Sequence, residues 1–445
     1  MTSRKRILVV MGTRPEAIKL APLILRAKAD PTRFEVLVVR TSQHREMLDQ
    51  VVDYFDLPVL VDLNIMRRDQ DLAHVTTAAL TKLQRVIAET RPDVVIVQGD
   101  TTTSFVAALA AFYENTPVAH VEAGLRTRDK RAPFPEEVYR RLTSVIADYH
   151  FAPTESARAN LLRENVPAET IWVTGNTSID ALFLTLEKAK PSTKGARRPA
   201  PTILLTTHRR ENHGEPMRRI CEALLILLQR FPKLRVVCPL HLSPRVREVV
   251  RPILGSHPRV SLVEPYGYEP FVLAMREAHI ILSDSGGVQE EAPALGKPVL
   301  VLRDTTERPE AVEAGTARLV GTEIDAIVSA CEQLLTDSRA YRAMAQARNP
   351  FGDGHASERI LDVLAESLGS VERYERADPA STIARYPFGA RLPAEPPVGP
   401  GLSTVPQEAP SAHAPEHVLD PASIAAEAKT RQPDSARVSG RSELP

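Results

Sequence analysis

ILVVMGTRPEAIKLAP, residues 7–22, decides how the rest of the chain is read. Ile7 to Val10 form a short apolar run of the kind that builds a buried strand. Gly12 permits the tight turn that follows, and Pro15 suits the first position of a helix. That helix is expected over 15–28. The same layout recurs outward from this point. VLVV (36–39), VVIV (94–97) and IWVT (171–174) read as further strands, with helical stretches at 70–90 and 102–114 between them. ILLTT (203–207), LRVVCPL (234–240), HIILSD (279–284) and PVLVL (298–302) make a second series. Strands alternating with helices imply parallel sheets covered on both faces. The expected fold is α/β, with two Rossmann-like, doubly wound domains.

The periodic pattern breaks at 186–201, LEKAKPSTKGARRPAP, where Pro, Gly and positive charge mark a boundary. The expected division is therefore 1–185 and 200–352. A helix is expected at 353–370, after the break NPFGDG (349–354). From 371 to 445 the chain is rich in Pro, Ala, Ser and Gly and poor in large apolar residues, and it reads as a disordered tail.

Lysine plus arginine equals aspartate plus glutamate at 56 each, so an anionic ligand must be held by local charge rather than by a basic surface. This balance argues against a nucleic-acid partner. The three cysteines, Cys221, Cys238 and Cys331, contain no CxxC pair and read as reduced core residues. The basic start MTSRKR precedes an apolar run of only about six residues, too short for an export signal. No stretch approaches the roughly 20 apolar residues of a membrane span. A cytoplasmic protein without membrane contact is expected.

Candidate site residues cluster where predicted strands end, the position at which open α/β sheets bind ligands. Arg14 and Lys19 lie at the first helix start, placed to neutralise a diphosphate unless they are plain surface charges. Gln98-Gly99-Asp100-Thr101 repeats the layout, with Asp100 either an N-cap or a chemical group. Glu122, in PVAHVEAGLRT, follows another strand. Glu136 and Glu137 open a helix after Pro133-Phe134-Pro135, where a helix dipole accounts for one acid more readily than for two. Three strand-end carboxylates, Asp100, Glu122 and Glu136, are what general acid–base work requires.

In the second series His208 follows ILLTT and stands beside Arg209 and Arg210, placed to meet phosphate or move a proton. His241 is a weaker parallel. Ser285-Gly286-Gly287 makes a small turn into a helix whose free N–H groups suit a diphosphate, against the plainer reading of a capped helix. Glu291, one turn on, is placed for ribose hydroxyls, and Arg308 is a further phosphate candidate. The glycine spacing fits neither a dinucleotide fingerprint nor a P-loop.

The pieces GTRPEAIKLAPL, TSQHREMLDQV, QGDTTTS, HVEAGLRT, PFPEE, APTES, TGNTSIDAL, THRREN, DSGGVQEEAPALGKPVLVLRDTTERPEAV and NPFGDG appear in this order between residues 12 and 354. Together they resemble the non-hydrolysing UDP-N-acetylglucosamine 2-epimerases. The resemblance implies a GT-B type fold, two domains facing a cleft, with the last helix crossing back onto the first domain. It implies interconversion of UDP-N-acetylglucosamine and UDP-N-acetylmannosamine, by elimination of UDP to a 2-acetamidoglucal and re-addition. In that reading Asp100, Glu122 and Glu136 carry acid–base roles and His208 assists near the diphosphate. Arg14, Lys19, Ser285, Gly286, Gly287, Glu291 and Arg308 bind the nucleotide sugar, with Phe271 and Tyr266 near the uracil. Gln43 and His44 match part of a regulatory segment, although Glu46 departs from it. A homodimer is implied, supplying cell-wall or capsule polysaccharide synthesis. No metal or redox cofactor is needed, and NAD is not implied. The alternatives are a hydrolysing 2-epimerase, an epimerase for a related UDP-2-acetamido sugar, a glycosyltransferase of the same fold, and an inactive nucleotide-sugar sensor.

Overall fold

Thirteen parallel strands, among the described residues, form two sheets separated along the chain. The computed structural model describes residues 4–42, 45–67, 71–189 and 200–368, all within one compact unit. The first sheet contains β1 (Lys5–Met11), β2 (Phe34–Arg40), β3 (Val59–Asp62), β4 (Val94–Gln98), β5 (Val118–Val121), β6 (Tyr149–Ala152) and β7 (Ile171–Val173). Its spatial order is β3-β2-β1-β4-β5-β6-β7. The second contains β8 (Thr202–Thr206), β9 (Arg235–Pro239), β10 (Val260–Val263), β11 (Ile280–Ser283), β12 (Val299–Val301) and β13 (Ala317–Leu319), in the order β10-β9-β8-β11-β12-β13. These are two Rossmann-like domains, as the strand–helix alternation predicts.

The apolar runs are continuous because both faces of each sheet are covered. In β1, Ile7, Val9 and Met11 enter one core, while Leu8 and Val10 enter the core on the opposite face. In β8 and β11, Ile203, Leu205, Ile280 and Leu282 divide in the same way from Leu204 and Ile281. Buried β6 was not among the expected strands, and neither were the edge strands β3, β10 and β13. The latter are three or four residues long, close the sheet edges and are only partly buried, so their sequences carry little apolar signal. The three cysteines are buried and free, and burial pushes each thiol up to about 12.

The helix Thr177–Lys188 runs past the expected domain end at 185. It serves both sheets, with Ala181 in the core of the first and Ile179 and Leu182 in a core of the second. Most of the predicted linker, 190–199, lies outside the described residues, as do Gln43, His44 and the expected tail 371–445. The final helix, Ala356–Ser367, buries Ile360, Leu361 and Leu364 in the first sheet's core. Asp180 anchors its start by accepting from Ala356 N (3.1 Å) and Ser357 N (2.7 Å). Among the described residues no helix is long and apolar enough to cross a membrane.

Candidate active site

Strand order locates the site before any side chain is considered. In the first sheet the order reverses between β1 and β4, and in the second between β8 and β11. Connections leave in opposite directions at such a switch point and open a crevice beyond the strand ends. The loops there are Gly12–Arg14, Gln98–Thr101, Thr207–Arg209 and Asp284–Gly286, so the strand-end candidates fall where the topology makes room.

Glu16 ties the first two loops together. Its carboxylate accepts from Gly12 N (3.0 Å), Thr13 N (2.7 Å) and Thr101 Oγ1 (2.6 Å). It is 1% exposed, and burial pushes its carboxyl above the ordinary value despite those donors. His120 fixes the turn further through a hydrogen bond between its ring Nε2 and Gly99 O (2.8 Å). Thr101 provides the N-cap of the helix Thr102–Tyr113 by accepting from Ser104 N. Asp100 is therefore not the cap; its carboxylate pairs with Arg140 on the helix Glu136–Ile146.

Glu122 follows β5 with φ at +67°, a backbone conformation that non-glycine residues seldom adopt. Its side chain meets Lys19 Nζ at 2.5 Å, Asn176 Nδ2 at 3.0 Å and the Gln98 amide. Burial pushes this carboxyl up, but the ammonium of Lys19 and the added hydrogen bonds outweigh it and hold the pKa below the ordinary value. Lys19, read from sequence as a phosphate cation, is thus placed against a carboxylate.

The adjacent acids Glu136 and Glu137 separate cleanly. Glu137 is fully buried and accepts from Thr127 N (3.0 Å) and Arg128 N (3.1 Å), which is a structural role. Glu136 keeps a buried Oε2 without a protein partner.

On the second sheet, Asp284 is fully buried at the end of β11 and organises the loop after β8. It accepts from Thr207 Oγ1 (2.8 Å), His208 N (2.9 Å), Arg209 N (2.9 Å) and Asn212 Nδ2 (3.0 Å). The His208 ring lies 3.4 Å from Asp284 through Nδ1 and stacks on His241 at 5.5 Å. Beside these rings a cavity of about 250 Å³ is lined by Arg14, His208, His241, Tyr266, Tyr268, Phe271 and Ser285, among others. Arg14 comes from the first domain and the rest from the second, so the cavity spans the cleft. Ser285 stands at the N-cap position of the helix Gly286–Glu291 without a side-chain capping bond, and the space above Gly287 is open.

Arg308 pairs with Glu290, a buried acid the sequence reading passed over. Burial first, and then the neighbouring Glu290 charge, push Glu291 up to about 8. Sequence reasoning also missed Asp284, Asn176, Arg140 and Tyr268. Asp284 sits beside the Ser285–Gly287 turn, and Tyr268 lies between the two selected aromatics. Asn176 and Arg140 offered no local signal. Among the described residues no group of acids, histidines or cysteines is arranged to hold a metal ion.

A family profile described as UDP-N-acetylglucosamine 2-epimerase matches residues 26–365. The chain belongs to that family. The UDP-N-acetylglucosamine 2-epimerase of Escherichia coli K12 is 52% identical over 369 residues, covering 81% of this chain and 98% of that protein. The crystal structure of the Neisseria meningitidis enzyme bound to UDP-GlcNAc is 50% identical, with a TM-score of 0.74, and covers 81% of this chain and all of that one. The Methanocaldococcus jannaschii enzyme in complex with UDP-GlcNAc and UDP is 36% identical, with a TM-score of 0.66, over 81% of this chain and 99% of that one. These relatives share the GT-B arrangement of two Rossmann-like domains about a cleft.

Proposed function

We propose that the chain epimerises UDP-N-acetylglucosamine at C2, giving UDP-N-acetylmannosamine reversibly and without a cofactor. The observation that carries this reading is the pairing of two half-sites. An aromatic-lined slot stands at the second sheet's switch point, Asp100 and Glu122 follow β4 and β5 of the first sheet, and Glu136 opens the helix whose Arg140 pairs with Asp100.

In this reading the uracil lies against Tyr266 and Phe271, and the diphosphate meets Arg14, His208 and the N–H groups at Ser285–Gly287. The C2 hydrogen has no adjacent carbonyl to acidify it, so simple removal to a carbanion is unfavourable. Loss of UDP supplies the driving event. The C1–O bond breaks with its electron pair leaving on UDP, a carboxylate takes the C2 proton, and a C1–C2 double bond forms. UDP oxygen then returns to C1 while a proton is delivered to the other face of C2. Such a cycle needs carboxylates on hand for both proton transfers. It also needs a held leaving group and closure that keeps UDP and the glucal together.

Anion-exchange chromatography of a reaction containing only protein and UDP-N-acetylglucosamine tests the proposal. A steady mixture of two UDP-sugars is expected. Free UDP and N-acetylmannosamine as the main products would instead identify a hydrolysing 2-epimerase.

Glu291 gives the binding step a pH dependence. Its carboxyl, pushed up to about 8, is neutral near pH 7 in the free protein. Ribose hydroxyls donating to it favour the ionised form, so binding releases a proton below that pKa. The sign follows from linkage. Affinity for UDP-N-acetylglucosamine rises between about pH 6 and about pH 8, by at most tenfold per unit, and levels off above. Isothermal titration across this range measures the slope, which the Glu291→Gln protein is expected to lack. An equal slope in both proteins would remove Glu291 from the binding site.

A further inference from the structure

Asn176 lies between the charged loops of the two domains, outside both the nucleotide slot and the proton-transfer set. It is 2% exposed. Its Oδ1 accepts from Ser178 N (3.0 Å), making it the N-cap of Thr177–Lys188, and its backbone N donates to Phe351 O (2.6 Å). With Oδ1 so occupied, both hydrogens of Nδ2 are directed at carboxylates. One goes to Glu122 Oε1 (3.0 Å) in the first domain and the other to Glu290 Oε2 (3.1 Å) in the second. A side-chain amide has no further donor to give. The reverse amide orientation would set Oδ1 against two carboxylates, so the observed orientation is the favourable one.

Each carboxylate also holds a cation: Lys19 shares Glu122 Oε1 with the Asn176 amide, and Arg308 pairs with Glu290 Oε1, the oxygen opposite the one the amide takes. The result is a charge-balanced row, Lys19–Glu122–Asn176–Glu290–Arg308, buried at its centre and partly exposed at its two cations, that crosses from one domain to the other. Its centre is neutral, and the physics favours that choice. An incoming diphosphate competes for Lys19 and Arg308 because they are cations; it has no comparable claim on an amide whose hydrogens are already used. An aspartate at this position would place a third negative charge beside two others. Glu122 stands in a seldom-adopted backbone conformation with positive φ, which persists only where surrounding contacts hold it. Side-chain donors must therefore supply the constraint.

We propose that Asn176 is a positioning residue for the C2 chemistry: its amide fixes the Glu122 carboxylate in register with the loop that carries Arg308. The inference rests on the epimerase reading above. It predicts that Asn176 acts on turnover more than on substrate binding, because it touches Glu122 and does not line the nucleotide slot.

Asn176→Ser provides the test. Serine is a good N-cap and keeps the start of the helix, but its short side chain does not reach both carboxylates. The expected variant is folded, with kcat reduced on the order of tenfold to a hundredfold and KM changed much less. The acid limb of its kcat–pH profile moves to higher pH, because the ionised form of Glu122 has lost a donor. Asn176→Asp, nearly the same shape and also a good cap, is expected to lose more. Wild-type kcat with an unmoved acid limb in Asn176→Ser would overturn the proposal. So would unfolding of both variants, which would make the bridge purely structural. Failure of the wild-type protein to form UDP-N-acetylmannosamine is a different result and would count against the epimerase reading itself.

Discussion

Replacing Glu122 by glutamine is expected to lower kcat on the order of a thousandfold, within the range that general acid–base groups contribute. Glutamine keeps the shape and still accepts a hydrogen bond from Lys19, but it cannot take a proton at C2. Nucleotide binding is expected to change little, since Glu122 is not among the residues that line the aromatic slot. The ammonium of Lys19 loses its charged partner in a largely buried setting, which costs about 1–3 kcal/mol of stability. Steady-state kinetics and thermal melting together separate the two effects. A Glu122→Gln protein retaining more than about a tenth of wild-type turnover would remove Glu122 from the chemistry.

The second large effect is expected at a residue that need not touch the substrate. Asp284→Ala leaves four donors facing a void: Thr207 Oγ1, His208 N, Arg209 N and Asn212 Nδ2. A buried polar group left unpaired costs about 1–3 kcal/mol, and neighbouring losses do not simply add. A total of about 4 kcal/mol or more is expected, among the larger effects of single substitutions. The loop bearing His208 loses its anchor, so nucleotide affinity falls as well. Asp284→Asn keeps the shape and one acceptor and is expected to show roughly half the loss of stability. Urea denaturation and UDP titration read both quantities. An unchanged midpoint for Asp284→Ala would show that the loop is held by other contacts.

These two residues also show where sequence reading succeeds and where it stops. Ile7 to Val10, Val94 to Val97 and the 203–207 run were legible as strands because both sheet faces are buried, which leaves an unbroken apolar signature. Short edge strands such as β10 and β13 carry no such run. Strand-end position led to Asp100, Glu122, His208 and Ser285, since ligand crevices follow from strand order. The partners of these residues did not follow. Lys19 and Glu122 stand 103 positions apart, and nothing local announces that they meet. For the same reason Lys19 and Arg308 read as phosphate cations, whereas each is placed against a carboxylate. Glu136 and Glu137 are the same residue type side by side. Only the helix geometry shows that Glu137 caps a loop while Glu136 keeps a free oxygen. The four donors to Asp284 stand 72–77 positions away along the chain, so its anchoring role has no local signature either.

In the proposed reaction the C2–H bond breaks and re-forms while UDP departs and returns. Incubating the protein with UDP-N-acetylglucosamine in deuterated water, without acceptor or added cofactor, and following the sugar by proton NMR tests it most directly. The expected product is UDP-N-acetylmannosamine carrying deuterium at C2, with the same label entering recovered UDP-N-acetylglucosamine as equilibrium is approached. UDP-N-acetylmannosamine that retains the original C2 hydrogen, or a UDP-sugar that stays unchanged, would contradict it.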